Sequence, residues 1–535
     1  MGTARLRPRR GVGADRGRCS LQANDAGGAR PRFRTSQRGG TPPAWGSLAR
    51  RYAVERANNP RLILGTRGFA CESEQVPNRE TSLTAEHLSR RRAATAAAWN
   101  LTDEFAVVGA GEALPIPGRY DRTYPFRSHS EYFYLTDRER PGGVLAFDPN
   151  EGWFEFLAPV TRDELVWSGT EDAQEGVPDG AADVSELSRW LEKRRGHRCG
   201  CLGAPVPGAS SDAHLEDDLR YAFTDVRRAK DDVELARMRT AEEATRSGYL
   251  LLDELIAEER TERQIQIDLE AQFFRGGADF LAFDTIVAGG RHSAVLHFAP
   301  TTRPLATGEL VLVDAGGEYR GYASDVTRTY PVSCGFTPEQ EELYAVVREA
   351  LVAAIQACKP GVEWRDVHRT AAHVVADGLV AFGLLRGATE SLFERGAVSL
   401  FFPHGIGHMV GLGIRDAGGV LRDRAAPGAG FPPLRVDLPL QTGYTMTVEP
   451  GIYFIPALLR DETKRSELKD AVDWERVDAL LDFGGIRLED NILITDSGCE
   501  VLTSGVPLLG EPASAGKSVP PQSAGIHREA ALGDR

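Results

Sequence analysis

Four acidic side chains stand in apolar runs where an isolated charge is costly. LVLVDAG carries Asp314 at its end, DVTRTYPV begins with Asp325, MTVEPGIYF holds Glu449 ahead of Pro450-Gly451, and GGIRLEDNILIT holds Glu489. A carboxylate removed from water without a partner is strongly unfavourable, and these runs carry no matching number of Lys or Arg. The simplest neutraliser is a divalent metal, and this many acids suits two. Oxygen-rich sites accept hard or borderline ions such as Mn²⁺, Co²⁺ or Zn²⁺. A histidine would complete the set, and HGIGHMVGLGIRD offers His404 and His408. Four carboxylates with one imidazole make a donor set of the two-metal hydrolase type.

These residues need elements that bring them together. On a helix, His404 and His408 would share a face. Pro403 and the glycines at 405, 407, 411 and 413 argue against a helix there, so loop geometry must place the imidazoles. Asp314 and Asp325 flank the turn-rich AGGEYRGYAS, which predicts a hairpin whose ends meet. A period of two puts Arg487 and Glu489 on one strand face. The expected strands here are Leu310–Asp314, Ala323–Pro331, Tyr444–Glu449 and Gly485–Ile494, chiefly antiparallel. Helices are expected over Asp231–Glu259, from Thr261, and from the capping box Thr337-Pro338-Glu339-Gln340 to Lys359-Pro360-Gly361. Upstream, a helix near Thr84–Trp99 precedes short strands at Phe105–Val108, Tyr132–Thr136, Gly143–Phe147 and Trp153–Leu157. Helical patterns follow near Val184–Arg194 and His214–Tyr221. Alternating strands and helices predict an α/β domain ending near residue 225.

The chain has 535 residues, room for more than one core. Its net charge of -14 argues against a nucleic-acid binder, and the sequence has no apolar run long enough for a membrane helix. Seven scattered cysteines give no disulfide framework and predict a reducing, cytoplasmic setting. Cys199-Gly-Cys201 is a close pair without a second zinc-type pair. Residues 1–83 read as a disordered Arg/Gly-rich extension, 84–225 as the first domain, 226–507 as the catalytic domain and 508–535 as a disordered tail.

VLVDAGGEYRGYASDVTRTYP, FFPHGIGHMVGL, TVEPGIYF and GGIRLEDNILIT together resemble the M24-type creatinase / aminopeptidase P / prolidase metallopeptidases. TYPFRSHSEYFYLTDRERPGGVLAFDP is similar to the N-terminal motif of aminopeptidase P. The resemblance covers about residues 84–505. It implies an α/β (α+β) fold: a creatinase-like N-terminal α/β domain, then a pita-bread catalytic domain with a curved antiparallel sheet and flanking helices. It implies metal ligands at Asp314, Asp325, His408, Glu449 and Glu489, holding two divalent ions, usually manganese. It also implies cleavage of the peptide bond before proline by a water that the metals activate, with Glu449 as proton acceptor. His404 and His297 would contact substrate, and Arg487 would hydrogen-bond the ligand shell.

Two features lean toward prolidase, the Xaa-Pro dipeptidase. One is the insert between Tyr453 and Ile486. The other is Arg435, at the position of an arginine that pairs with a dipeptide carboxylate. Arg415 departs from the family, which usually has a histidine before the Asp that is here Asp416. An arginine keeps hydrogen-bond donors but cannot shuttle a proton, so altered substrate preference is expected; pairing with Asp416 is a second role open to it. Short proline-containing peptides are the expected partners, and a homodimer the expected assembly. The alternative is a metal-free or catalytically altered relative, a creatinase-like hydrolase or binding module. Methionine aminopeptidase shares the catalytic fold but lacks such an N-terminal domain.

Overall fold

A computed structural model describes residues 81–119, 122–167, 169, 174–333 and 335–509. Most of the expected extension and tail, and Cys19, Cys71 and Cys334, lie outside these residues. The first helix, α1 (Ala85–Trp99), starts where Thr84 Oγ1 accepts the His87 N–H, and ends at Asn100 in the left-handed region. A five-stranded sheet follows: β1 (Phe105–Gly109), β2 (Val144–Asp148), β3 (Gly152–Leu157), β4 (Ala182–Asp183) and β5 (Cys199–Gly203), in the order β4-β3-β2-β1-β5. β1 runs antiparallel to β2 and parallel to β5. One face packs on Trp190 and its neighbours. The other packs on Trp99, Phe223 and Leu219, where α5 (Ala213–Arg228) crosses after α4 (Leu187–Glu192).

The expected strand Tyr132–Thr136 is instead part of helix α2 (Ser130–Thr136), buried throughout from Glu131 to Thr136. A short apolar run such as YFYL does not separate a buried strand from a buried helix by periodicity. The ends decide it: the His129 ring accepts the Glu131 N–H, and Asp137 stops the helix with φ 56°. Glu131 is then held by Arg220 of α5 at 2.8 Å.

The second half opens with α6 (Asp232–Tyr249), capped by Asp231 and Glu234. The expected long helix stops at Tyr249 and restarts as one turn, α7 (Leu252–Leu255), which directs Leu252 into the core. Gly248 is tolerated inside α6 because α8 (Glu262–Arg275) packs directly on its backbone; a Cβ there would lie 2.4 Å from the Phe273 ring. These helices cover β7 (Ile286–Gly289), β8 (Leu310–Ala315) and β11 (Val326–Pro331), an antiparallel sheet in the order β11-β8-β7. A second helix pair, α9 (Pro338–Ala357) and α10 (Trp364–Ala381), covers β14 (Thr445–Val448), β15 (Gly451–Tyr453), β16 (Gly485–Arg487) and β17 (Asp490–Thr495). The capping box at Thr337 forms as the sequence predicts, with Pro338 at the first helical position. Two helix pairs thus flank paired antiparallel strands, the α/β arrangement that the resemblance implies. The run Gly485–Ile494 is two strands, not one: it breaks at Leu488-Glu489, between β16 and β17.

One buried charge cluster joins the HGIGH segment to the α5–α6 junction. Asp416, its side chain 1% exposed, meets Arg227 at 2.7 Å and Lys230 at 3.0 Å. It also accepts the Leu412 and Ala417 N–H groups. The expected pairing of Arg415 with Asp416 gives way to these two cations, and Arg415 is exposed. Burial pushes the Asp416 carboxyl up, but Lys230 and Arg227 outweigh it and hold it below the usual range.

Asp416→Asn should leave two buried cations unpaired and cost about 3–5 kcal/mol of stability, read as a lower denaturation midpoint at pH 7. Because the folded pKa is depressed, the contribution of Asp416 is complete above pH ~4 and lost as pH falls through the folded value. Acidification should therefore lower the parent midpoint more than the variant's. Equal acid sensitivity would rule out this ion cluster as a source of stability.

Candidate metal centre

β8 and β11 pair antiparallel with Thr327 opposite Asp314. Asp314 is the next-to-last residue of β8, and Asp325 immediately precedes β11, so the hairpin brings both carboxylates to one end. The intervening residues form a smaller pairing of β9 (Gly317–Tyr319) with β10 (Tyr322–Ala323). Asn491 fixes Asp325 by accepting its backbone N–H at 2.9 Å. Glu489 lies in the gap between β16 and β17, where its N–H reaches Thr327 O at 3.0 Å and its carboxylate accepts from Thr327 Oγ1 at 2.7 Å. The interruption after Arg487 is therefore where this carboxylate enters the site.

The HGIGH segment is extended and runs beside β14. Glu449 N donates to Ile406 O at 2.7 Å, Thr447 N to His408 O at 2.8 Å, and Val410 N to Thr445 O at 3.2 Å. Gly407 is required by this approach: a Cβ there would fall 2.0 Å from Thr447 O. The close pairing sets His408 and Glu449 side by side on adjacent chains. His408 Nδ1 donates to Met409 O at 3.0 Å, so in the neutral ring Nε2 carries the lone pair. That Nε2 faces Asp325 at 3.5 Å. Ligating atoms of Asp325, His408 and Glu489 all lie within 4.8 Å of one another, and all three residues are buried.

Arg487 spans the same space. Its guanidinium donates to Asp314 Oδ2 at 2.5 Å, Thr327 Oγ1 at 3.1 Å and the Tyr453 hydroxyl at 3.0 Å. Since Tyr453 accepts from Arg487, its own O–H donates to His404 Nε2 at 2.8 Å. The His404 hydrogen then sits on Nδ1, 2.9 Å from Gly405 O and 3.8 Å from the Glu449 carboxylate. The strands thus supply one cation to the four acids, fewer than would neutralise them, and it reaches only one oxygen of Asp314. Asp314 Oδ1 is buried without a hydrogen-bond partner among the described residues. The other strand arginine, Arg328, is committed to Asp490 at 2.7 Å.

Electrostatics record the surplus of negative charge. Burial pushes the Asp314 carboxyl up to about 7; Arg487 opposes this, while Asp325 and Glu449 add to it. Glu489 is pushed well above the carboxylate range by burial and then by Asp325, Glu449 and Asp314. Burial lowers His408, but its bond to Asp325 and the nearby Glu449 charge outweigh this and raise it. A crowded set of oxygens and one imidazole, with an orphaned buried carboxylate oxygen, fits divalent cations.

The remaining sequence-predicted residues line the periphery. His297 lies on an exposed turn. Burial lowers its pKa, and the charges of Arg415, Arg487 and Arg435 lower it further while Glu449 opposes them. Those arginines therefore act on the same space as His297. Arg415 and Arg435 are both exposed. Sequence reasoning missed Tyr453, Thr327 and Asn491. For Thr327 and Asn491 the signal was present, because both are polar residues inside apolar strands, like the acids. Tyr453 has no such mark in GIYF, because tyrosine is an ordinary core residue.

The profile of metallopeptidase family M24 matches residues 236–496, and that of the aminopeptidase P N-terminal domain matches residues 87–192. A probable Xaa-Pro aminopeptidase of Aspergillus clavatus is 33% identical over 72% of this chain and 87% of its own length. Aminopeptidase PepP of Pseudomonas aeruginosa superposes with a TM-score of 0.65 at 28% identity, covering 80% of this chain and 96% of that one. Zinc-substituted aminopeptidase P of E. coli, solved with product, gives 0.65 at 26% identity over 80% and 96%.

Ligation needs ionised carboxylates, and the raised values of Asp314 and Glu489 mean protons must leave. Titrating Mn²⁺ into metal-free protein at pH 6.5 should release about one to two protons per chain, measured calorimetrically in buffers of different ionisation enthalpy. At pH 8 the proton count should fall and the apparent affinity rise. Equal heats across buffers at pH 6.5 would mean that the acids are already ionised.

Proposed function

The chain belongs to metallopeptidase family M24, and from that premise we propose that it is an Xaa-Pro aminopeptidase, removing the first residue of peptides whose second is proline. The observation that carries this is the buried cluster of Asp325, His408 and Glu489, whose ligating atoms lie within 4.8 Å of one another, with the charges of Asp314 and Glu449 acting on it. In this reading these five residues hold two divalent metals. When bound, the metals polarise the scissile carbonyl and lower the pKa of the attacking water.

The chain's own groups do the rest. Glu449, the least buried of the acids with its side chain 19% exposed, accepts the proton of the attacking water. His404 has its one hydrogen on Nδ1, between Gly405 O and Glu449, and would share it as a hydrogen bond with the bound peptide. Tyr453 fixes that tautomer from the far side of the ring. Arg487 favours the ionised, ligating form of Asp314 against the effect of burial. His297, Arg415 and Arg435 form the substrate wall, with Arg435 available to a peptide carboxylate. Arg415 binds rather than relays protons, because a guanidinium stays charged.

The relatives' names favour the aminopeptidase over the dipeptidase. The insert that leaned toward prolidase forms short helices and packs against the turn that follows α10 and the end of the helix Thr389–Glu394. Val472 bridges Leu385, and Arg395 pairs with Asp470 at 2.8 Å. These contacts support a scaffolding role for the insert. Manganese suits the oxygen-rich donors, and Co²⁺ or Zn²⁺ would also fit. A cytoplasmic homodimer completes the proposal; the unpaired state of Cys199, Cys201, Cys358 and Cys499 supports a reducing compartment.

The test is hydrolysis of an Xaa-Pro dipeptide and an Xaa-Pro-Yaa tripeptide, side by side, with Mn²⁺ and with a chelator. Metal-dependent cleavage mainly of the tripeptide is expected, with Glu449→Gln lowering kcat by about 10²-fold or more. Cleavage of the dipeptide alone would make the enzyme a prolidase and Arg435 its carboxylate clamp.

A further inference from the structure

Glu262 is the first residue of α8 and is fully buried. An acid in the first helical turn usually serves its own helix dipole. This one is turned away from the helix, and every side-chain bond it makes goes to residues 289–301. Oε1 accepts the Gly289 N–H at 3.0 Å and lies 2.8 Å from His292 Nδ1. Oε2 accepts the Thr301 N–H at 3.0 Å and the Thr301 hydroxyl at 2.6 Å. Four donors converge on one carboxylate, two from the start of the segment and two from its end.

His297 lies near the end of this segment. Among the described residues it has no hydrogen-bond partner of its own, so its position depends on the segment that carries it. The His292 ring stacks on the neighbouring Phe298 ring, centroids 4.2 Å apart and 26° from parallel. A rigid path thus runs from the Glu262 carboxylate through His292 and Phe298 to the residue beside His297. On the opposite side Ser293 Oγ accepts the Gly485 N–H at 2.8 Å, which ties the segment to β16, the strand of Arg487. The segment is therefore clamped between α8 and the strand that feeds the metal site.

We propose that Glu262 is a positioning residue for the peptidase reaction, closing both ends of the 289–301 segment and thereby holding His297 at the substrate wall. This rests on the reading above that His297 contacts the peptide. A carboxylate suits the task because all four partners are donors. Glutamine in its place would present an NH₂ group to one end of the segment and release it.

The experiment compares Glu262→Gln, His297→Ala and the double variant, in full-length metal-loaded protein acting on an Xaa-Pro-Yaa tripeptide. Glu262→Gln should lower kcat/KM about 10- to 100-fold, leave two metals bound, and speed amide hydrogen exchange within residues 289–301. In the His297→Ala background the same change should cost no more than roughly twofold, because its route to the reaction is already gone. Should Glu262→Gln fold poorly, Thr301→Val removes one donor at an exposed position and should show the same non-additivity with a smaller loss. An unchanged kcat/KM in Glu262→Gln, or equal losses in both backgrounds, overturns the proposal and leaves His297 in place. A His297→Ala variant with parent kinetics overturns the reading of His297 and this inference with it.

Discussion

Like charges crowded in a buried space are the constraint on which the rest of this structure depends. The charges of Asp325 and Glu449 push the already buried Asp314 and Glu489 carboxyls further up, and one oxygen of Asp314 has no hydrogen-bond partner among the described residues. No folding advantage follows from such an arrangement, since each acid carries a desolvation penalty that its neighbours enlarge. The surrounding strands counteract that repulsion: the β8–β11 hairpin fixes two acids, the break between β16 and β17 admits a third, and the β14 pairing with HGIGH sets the fourth beside His408. Thr327 belongs to this framework too, joining Glu489 and Arg487 from one strand.

The cations near the site divide by how they are held. Arg487 is buried with its donors spent on Asp314, Thr327 and Tyr453, so it fixes geometry. Arg415 and Arg435 are exposed, with an electrostatic influence on His297. The same residue type thus serves as an internal brace and as an exposed charge at the edge of the site, and burial separates the two.

Much of the site was legible in the sequence because a carboxylate in an apolar strand is a conflict that local rules do not resolve. The same reasoning applies to Thr327 and Asn491, which were passed over only because they carry no charge. Other features were hidden for definite reasons. YFYL reads equally as strand or helix until Glu131 finds Arg220, a partner distant in sequence. The pairing of Asp416 with Lys230 and Arg227 joins segments far apart in sequence, so only the adjacent Arg415 came into view as its partner. The glycines of HGIGH suggested a flexible loop, whereas Gly407 is a matter of clearance against Thr447 O in a well-paired extended segment.

Arg415 and Asp416 are consecutive residues with separate duties. Asp416 is locked into the scaffold by two buried cations and two backbone donors, while Arg415 is exposed, with no hydrogen bond or ion pair among the described residues. A change of side chain at 415 therefore has little folding consequence to clear. On the proposed function the fold insulates a substrate-facing position from the stability of its neighbour, and position 415 is open to divergence: single substitutions can be sampled there while the buried frame is inherited intact.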